Sequence, residues 1–316
     1  MGAVFDKEST RVAFGNALIR MADDDPTIMY VAADTLKSVG GAPMHKKYPE
    51  RAINVGIAEQ NMALVGAGMA ASGAKAFVAT YATFASMRIC EQIRTFICYP
   101  NLDVKIVAGL GGLSGGQEGV THQGIEDVGV LRSIPNLVIV EPADAASTEV
   151  ITEAITKYRG PVYMRIGRNA SPKVFDENYK FEIGKANTLV DKGNDASIFA
   201  TGAAVHRALE AEKILDAEGY HVKVIEMPCV KPLDEEAVLN AAKATGLVFT
   251  AEDHNIIGGL GSAVAEVLSE KLPTRLERIG IRDQFTESGD HEELLDKYCL
   301  LPRDIADHVI KGIKNK

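Results

Sequence analysis

Cysteine is scarce in this chain, with four among 316 residues. Cys90, Cys98, Cys229 and Cys299 show no CxxC spacing, which argues against a disulfide framework or a local zinc site and leaves them as expected core thiols. Long apolar runs are also missing, since no stretch approaches the roughly 18 uncharged residues that a membrane span requires. The opening "MGAVFDKESTRVAFG" lacks the basic-then-apolar order of a signal peptide, and Asp6 stands where a myristoylation start after Met1-Gly2 needs Ser or Thr. We therefore expect a cytoplasmic protein with no membrane contact. Basic residues are outnumbered, 34 against 43 acids, and a formal charge of −9 makes nucleic acid an unfavourable partner. Solenoid-length repeats, low-complexity tracts and a GxxxxGK[ST] phosphate loop are absent as well, which argues against repeat architectures and P-loop chemistry.

What remains is the composition of an ordinary globular protein, 46% hydrophobic and 24% charged, at about twice the length of a typical domain. Apolar runs of strand length alternate with stretches of helical period in two sets. That alternation predicts an α/β fold of two three-layer α/β/α domains with mostly parallel sheets. The first set begins with a helix over "STRVAFGNALIRMADDD", with Ser9 as N-cap, and continues through the strands "TIMYVAAD", "AINV", "KAFVAT", "DVKIVAG", "LVIVEP" and "PVYMRI". Between Asn169 and Asn194 the periodicity lapses. We place the first domain at 1–175, a linker at 176–193 and the second domain at 194–316.

Several motifs invite functional readings that their context does not support. "GLGGLSGG", from Gly109 to Gly116, follows a strand but opens no helix, as a dinucleotide fingerprint would. "GGLGSAVAE" opens one but has Val264 at the third glycine position, so a tight turn into a packed helix explains it. His254 and His291 sit beside carboxylates, yet neither has a second histidine at helical spacing, and both read as capped loop residues. Glu59, at the joint between strand and helix in "INVGIAEQNMALVGAGMAASG", would by itself be a carboxylate favoured by the helix dipole.

Its company gives it another meaning. "GIAEQNM", "ATYATFASMRICEQIR" and "GGQEGVTHQGIEDVGVLRSIPNLVIVEPAD" occur in one order and spacing over nearly the whole chain. Together they resemble the transketolase family of thiamine diphosphate enzymes, in the half carrying the pyrimidine-binding and C-terminal domains. The resemblance implies that Glu59 bonds the pyrimidine ring nitrogen of the cofactor, favouring the imino tautomer that makes the cofactor's own amine basic. It implies that Phe84 stacks on that pyrimidine with Tyr81 beside it, and that Asp34 lies near the thiazolium ring. His122 corresponds to the group that hydrogen-bonds the substrate carbonyl and hydroxyls and passes protons. Arg11, Ser38 and Arg168 correspond to holders of the sugar's distal phosphate, with Arg165 as the alternative to Arg168.

Three positions depart from the family pattern. Leu110 stands where histidine is usual, Glu118 where aspartate is usual, and Gly124 where proline follows "THQ", which bears on the sugar more than on the chemistry. Glu118 keeps its acidic character and its expected place at the substrate. The "GDG" motif that holds the cofactor's diphosphate through Mg2+ or Ca2+ is missing, so this chain provides no metal ligands in this reading. The resemblance therefore implies the C-terminal subunit of a split transketolase that moves a two-carbon ketol unit between sugar phosphates. An N-terminal subunit would supply the metal site, and two copies of each would form an α2β2 assembly with the Gly-rich helix after Glu59 at the twofold contact. Alternatives of the same fold are a deoxyxylulose-phosphate synthase-like subunit, a 2-oxoacid dehydrogenase beta subunit and a non-catalytic assembly subunit.

Overall fold

The structure, a computed structural model, describes residues 7–316. Met1, Gly2 and Asp6, on which the myristoylation argument turned, lie outside the described residues. In chain order the strands are β1 (Lys7–Ser9), β2 (Ile28–Ala32), β3 (Ala52–Asn54), β4 (Lys75–Tyr81), β5 (Val104–Gly109), β6 (Val138–Val140) and β7 (Val162–Arg165). They continue with β8 (Ala170–Pro172), β9 (Asn187–Asp191), β10 (Ser197–Ala200), β11 (Lys223–Glu226), β12 (Cys229–Lys231), β13 (Leu247–Asn255) and β14 (Arg275–Ile281). One sheet runs β12-β6-β7-β5-β4-β2-β3 and another β14-β13-β10-β11-β9, with β1 and β8 forming a short antiparallel pair. Pairing in the two large sheets is parallel except where β12 joins β6 and β9 joins β11.

Strands buried on both faces explain the near-continuous apolar runs. In β4, Ala76 and Val78 pack into the core on one side of the first sheet, while Phe77 and Ala79 pack into the core on the other. In the second sheet Ile198 and Phe199 divide in the same way. Full burial of each large side chain contributes roughly 1.5–3 kcal/mol. The helix Glu59–Ala71 lies on β4 closely enough that a Cβ on Gly66 would sit 2.3 Å from a Val78 methyl. Among the described residues no helix is long and apolar enough to cross a membrane.

Several expectations change. Cys299 is exposed and Cys90 only partly buried, so Cys98 and Cys229 alone are core thiols, and His291 begins a helix, His291–Lys297, and is not in a loop. The stretch 176–193 is not wholly a linker, because Asn187–Asp191 pairs with β11 and closes one edge of the second sheet. The single helix read from "TFASMRICEQIRTFIC" is broken into Ala82–Met87, Cys90–Gln92 and a π-type segment Ile93–Cys98. His254 is not in a loop but in β13, where Nδ1 lies 2.7 Å from the Asn255 carbonyl and Nε2 accepts the Gly129 N–H at 3.4 Å.

The two domains are joined around a buried cation. Arg165, at the end of β7, is 2% exposed. Its Nε donates to Asp127 at 2.9 Å and its Nη1 to Glu141, while Nη2 donates to the carbonyls of Gly124 at 2.6 Å and of Asp253, in the second domain, at 2.9 Å. Tyr163 donates its hydroxyl to the same Asp127 carboxylate at 2.6 Å. Asp127→Ala would leave this guanidinium buried without its main counter-charge, and is expected to cost about 3–5 kcal/mol in urea unfolding.

Burial also pushes the Glu226 and Glu252 carboxyls up to about 7. Each keeps its proton in the folded chain at pH values where the unfolded chain has lost it. Their contribution to stability therefore falls as pH rises from the unfolded value of 4.5 towards 7, and levels off above. Glu226→Gln is expected to flatten part of this slope in unfolding measurements between about pH 5 and 7.

Candidate active site

Open parallel sheets place loops, and hence ligand-binding groups, at the carboxyl ends of their strands. Asp34 follows β2, Glu59 follows β3, Tyr81 ends β4, His122 lies in the long loop after β5, and Arg168 follows β7. Gly116 and Gly119 take positive φ in that loop, and the buried Gln123 donates from Nε2 to the Gly116 carbonyl at 3.0 Å and to the Glu287 carbonyl of the second domain at 3.1 Å. The loop carrying His122 is thus tied down from both domains.

Glu59 opens its helix and is 6% exposed. Its Oε1 accepts a hydrogen bond from Arg88 Nη1 at 2.5 Å. The same guanidinium lies over Phe84, with its carbon 3.6 Å from the ring centroid, a cation–π contact. Phe84 meets the His122 ring edge-on at 5.2 Å between centroids, and Tyr81 stands 5.7 Å from Phe84 and 5.5 Å from His122. Thr121 Oγ1 is 2.9 Å from His122 Nδ1, leaving Nε2 as the ring nitrogen not engaged by it.

A second group adjoins the first through Tyr81, whose hydroxyl donates to Ser38 Oγ at 3.0 Å. Arg11 Nη1 reaches the Ser38 carbonyl at 3.5 Å. Arg168 and Glu118 form an ion pair, both partly exposed, on a hollow of about 630 Å3 that also takes in Ser114 and Asp290. Ser9 and Thr10 donate to the carbonyls of Arg168 and Gly167 at 3.3 and 3.2 Å, which sets the start of the Arg11 helix beside the segment between β7 and β8 that carries Arg168. Asp34 is apart from these groups. It is exposed, has φ of 59°, and exchanges hydrogen bonds with Asn54, at 2.9 Å to its N–H and 3.3 Å to its carboxylate.

Arg165 is not an alternative to Arg168, because its donors are consumed by Asp127, Glu141 and two carbonyls. Leu110 is 2% exposed, and its carbonyl accepts the Gly124 N–H at 3.2 Å. A Cβ at Gly124 would lie 2.5 Å from that of Ala82, so close packing of the loop on the Ala82–Met87 helix explains the glycine there. Arg88 was missed from sequence, although its i+4 spacing from Phe84 was a usable signal.

Residues 6–173 match the family model of the transketolase pyrimidine-binding domain, and residues 184–305 that of the transketolase C-terminal domain. The chain belongs to the transketolase family. It is 41% identical over 309 residues to a protein of Methanocaldococcus jannaschii named as a transketolase C-terminal section, covering 97% of this chain and 96% of the relative. It is 39% identical over 307 residues to a 6-deoxy-6-sulfo-D-fructose transketolase subunit of a Clostridium species, covering 96% and 95%. A solved split-gene transketolase, described as an inactive beta4 tetramer, superposes with a TM-score of 0.90 at 43% identity, covering 97% and 98% of the two chains.

Transketolases depend on thiamine diphosphate, and the Glu59–Phe84 geometry suits its aminopyrimidine. A flat, N–H-donating cation already lies on the Phe84 face and bonds the Glu59 carboxylate, in the form of Arg88. Those are the two contacts that such a ring requires. Among the described residues no group of three or more His, Cys, Asp and Glu side chains is placed to hold a metal ion. Arg88 is 47% exposed while Glu59 is only 6% exposed, so the cation can leave for water but the carboxylate cannot. Arg88→Ala leaves the buried Glu59 carboxylate without this donor and is expected to lower stability by about 1–3 kcal/mol in urea unfolding.

Proposed function

We propose that this chain is the C-terminal subunit of a thiamine diphosphate-dependent transferase of the transketolase type, moving a two-carbon ketol unit from a ketose donor to an aldose acceptor. The observation that carries the reading is the convergence of a buried Glu59, a stacking ring at Phe84 and the imidazole of His122. Thiamine diphosphate, when bound, supplies the nucleophilic carbon for the transfer. Glu59 bonds the pyrimidine ring nitrogen, and Phe84, with Tyr81 beside it, receives the ring face after Arg88 swings off towards solvent. Asp34, on the exposed rim, serves the thiazolium side.

His122 donates to the carbonyl and hydroxyl oxygens of the sugar and moves a proton at the hydroxyl. Glu118 accepts from a donor hydroxyl. Arg11, Ser38 and Arg168 bind the distal anion, and Arg168 exchanges its ion pair with Glu118 for that group. A phosphate fits these donors. A sulfonate fits them as well, and the substrate in the name of the Clostridium relative carries one.

An N-terminal subunit contributes the diphosphate site with Mg2+ or Ca2+, in the cytoplasm. Self-association into an α2β2 assembly uses the outer side of the helix Glu59–Ala71, where Leu64, Gly68 and Ala71 are exposed.

In a complex reconstituted with its partner, Glu59→Ala is expected to lower ketol transfer at least about 100-fold while sedimentation shows the assembly intact. Unchanged turnover would mean that the chain serves assembly alone. Failure of the wild-type complex to bind thiamine diphosphate in calorimetry would refute the reading altogether.

A further inference from the structure

A cavity of about 660 Å3 lies between the two domains, and neither Glu59, Phe84, His122, Glu118 nor Arg168 lines it. Small-molecule sites fall in the range of roughly 300–1,000 Å3, and one water takes about 30 Å3 of liquid. The cavity is large enough for a compact metabolite.

Arg207 lines it from the first turn of the helix Ala204–Ala217. The residue is 6% exposed, yet its Nε and Nη2 have no hydrogen-bond partner among the described residues. Nε2 of His291, on the same cavity, is buried and unpartnered in the same way. The contrast with Arg165 is instructive. That guanidinium is equally buried, and Nε, Nη1 and Nη2 each donate to a named acceptor. Burial lowers the pKa of Arg207, and the neighbouring acids Asp253, Glu292 and Glu141 oppose this without cancelling it. Desolvating a cation and leaving its donors unused is unfavourable unless something else fills the site.

The remaining lining defines what fills it. Asp253 already accepts the Leu113 N–H at 3.1 Å, and with Glu292 it offers acceptors that suit hydroxyl groups. Pro142, Leu295 and Leu301 supply apolar wall for a carbon skeleton. We infer that the interdomain cavity is a binding site for a small hydroxylated oxyanion, with Arg207 and His291 holding its phosphate or carboxylate and Asp253 and Glu292 receiving its hydroxyls. The cavity adjoins the hollow at Arg168 and Glu118, sharing His291 and Glu292 with it, and Arg207 and Asp253 belong to the cavity alone.

The full chain is titrated with glycerol 3-phosphate and, separately, with glycerate, against potassium chloride at matched ionic strength. At least one of the two is expected to raise the melting temperature by about 2 °C or more near saturation, and which one does so identifies the anionic group. Arg207→Gln abolishes the rise and Arg168→Gln keeps it. On the wild-type chain, the Arg207 Nε–H signal in nitrogen–proton spectra, assigned with Arg207→Lys, moves on titration, so the site can be judged even if Arg207→Gln does not fold. The inference is overturned if neither ligand shifts the melting temperature or if the Arg207 signal stays fixed. It is overturned equally if the rise survives Arg207→Gln and disappears with Arg168→Gln, because the ligand then occupies the hollow at Glu118.

Discussion

The guanidinium of Arg165 is the contact around which this chain is organised. It sits with almost no exposure between the first sheet, the loop at Gly124 and the second domain's Asp253, and only bonds from all three make its burial tolerable. Because the carbonyl of Gly124 is one of its acceptors, the same contact fixes the loop two residues beyond His122. Gln123 reinforces this from the other side through the Glu287 carbonyl. The position of a candidate side chain thus depends on an ion network at some remove from it.

The candidate catalytic cluster follows a different logic. Its carboxylate is buried, but the cation paired with it is half in water and stacked on a ring that another flat group could use. A pair of this kind can open by movement of the half-exposed cation alone, with the carboxylate left in place. The Arg168–Glu118 pair on the neighbouring hollow has the same half-exposed character. Fully buried ion pairs thus lie at the centre, and half-exposed ones at the rim.

Much of this was legible in the chain of letters. Strands such as "KAFVAT" are apolar on both faces because helices cover both, and that pattern survives in a one-dimensional reading. The residues Glu59, Phe84, Tyr81 and His122 could be singled out from motifs, and the structure brings their side chains or their immediate partners together. Arg165 and Arg168 were harder to rank. Both are arginines near the end of one strand, and only burial separates the one whose donors are consumed from the one whose side chain reaches a hollow. The strand "NTLVD" was read as linker because an edge strand needs too few apolar residues to stand out from a loop.

By itself the sequence determined the alternation of strands with helices in two sets and the identity of the chemical groups, because periodicity and motif spacing are local properties. Only the tertiary structure decided which groups meet. That β12, from the second half of the chain, completes the edge of the first sheet depends on pairing between segments far apart in sequence. That Arg88 covers Phe84 and Arg207 faces a cavity depends on packing and desolvation. Contacts of this kind carry no periodic signature, since burial is a property of the whole fold and not of any stretch within it.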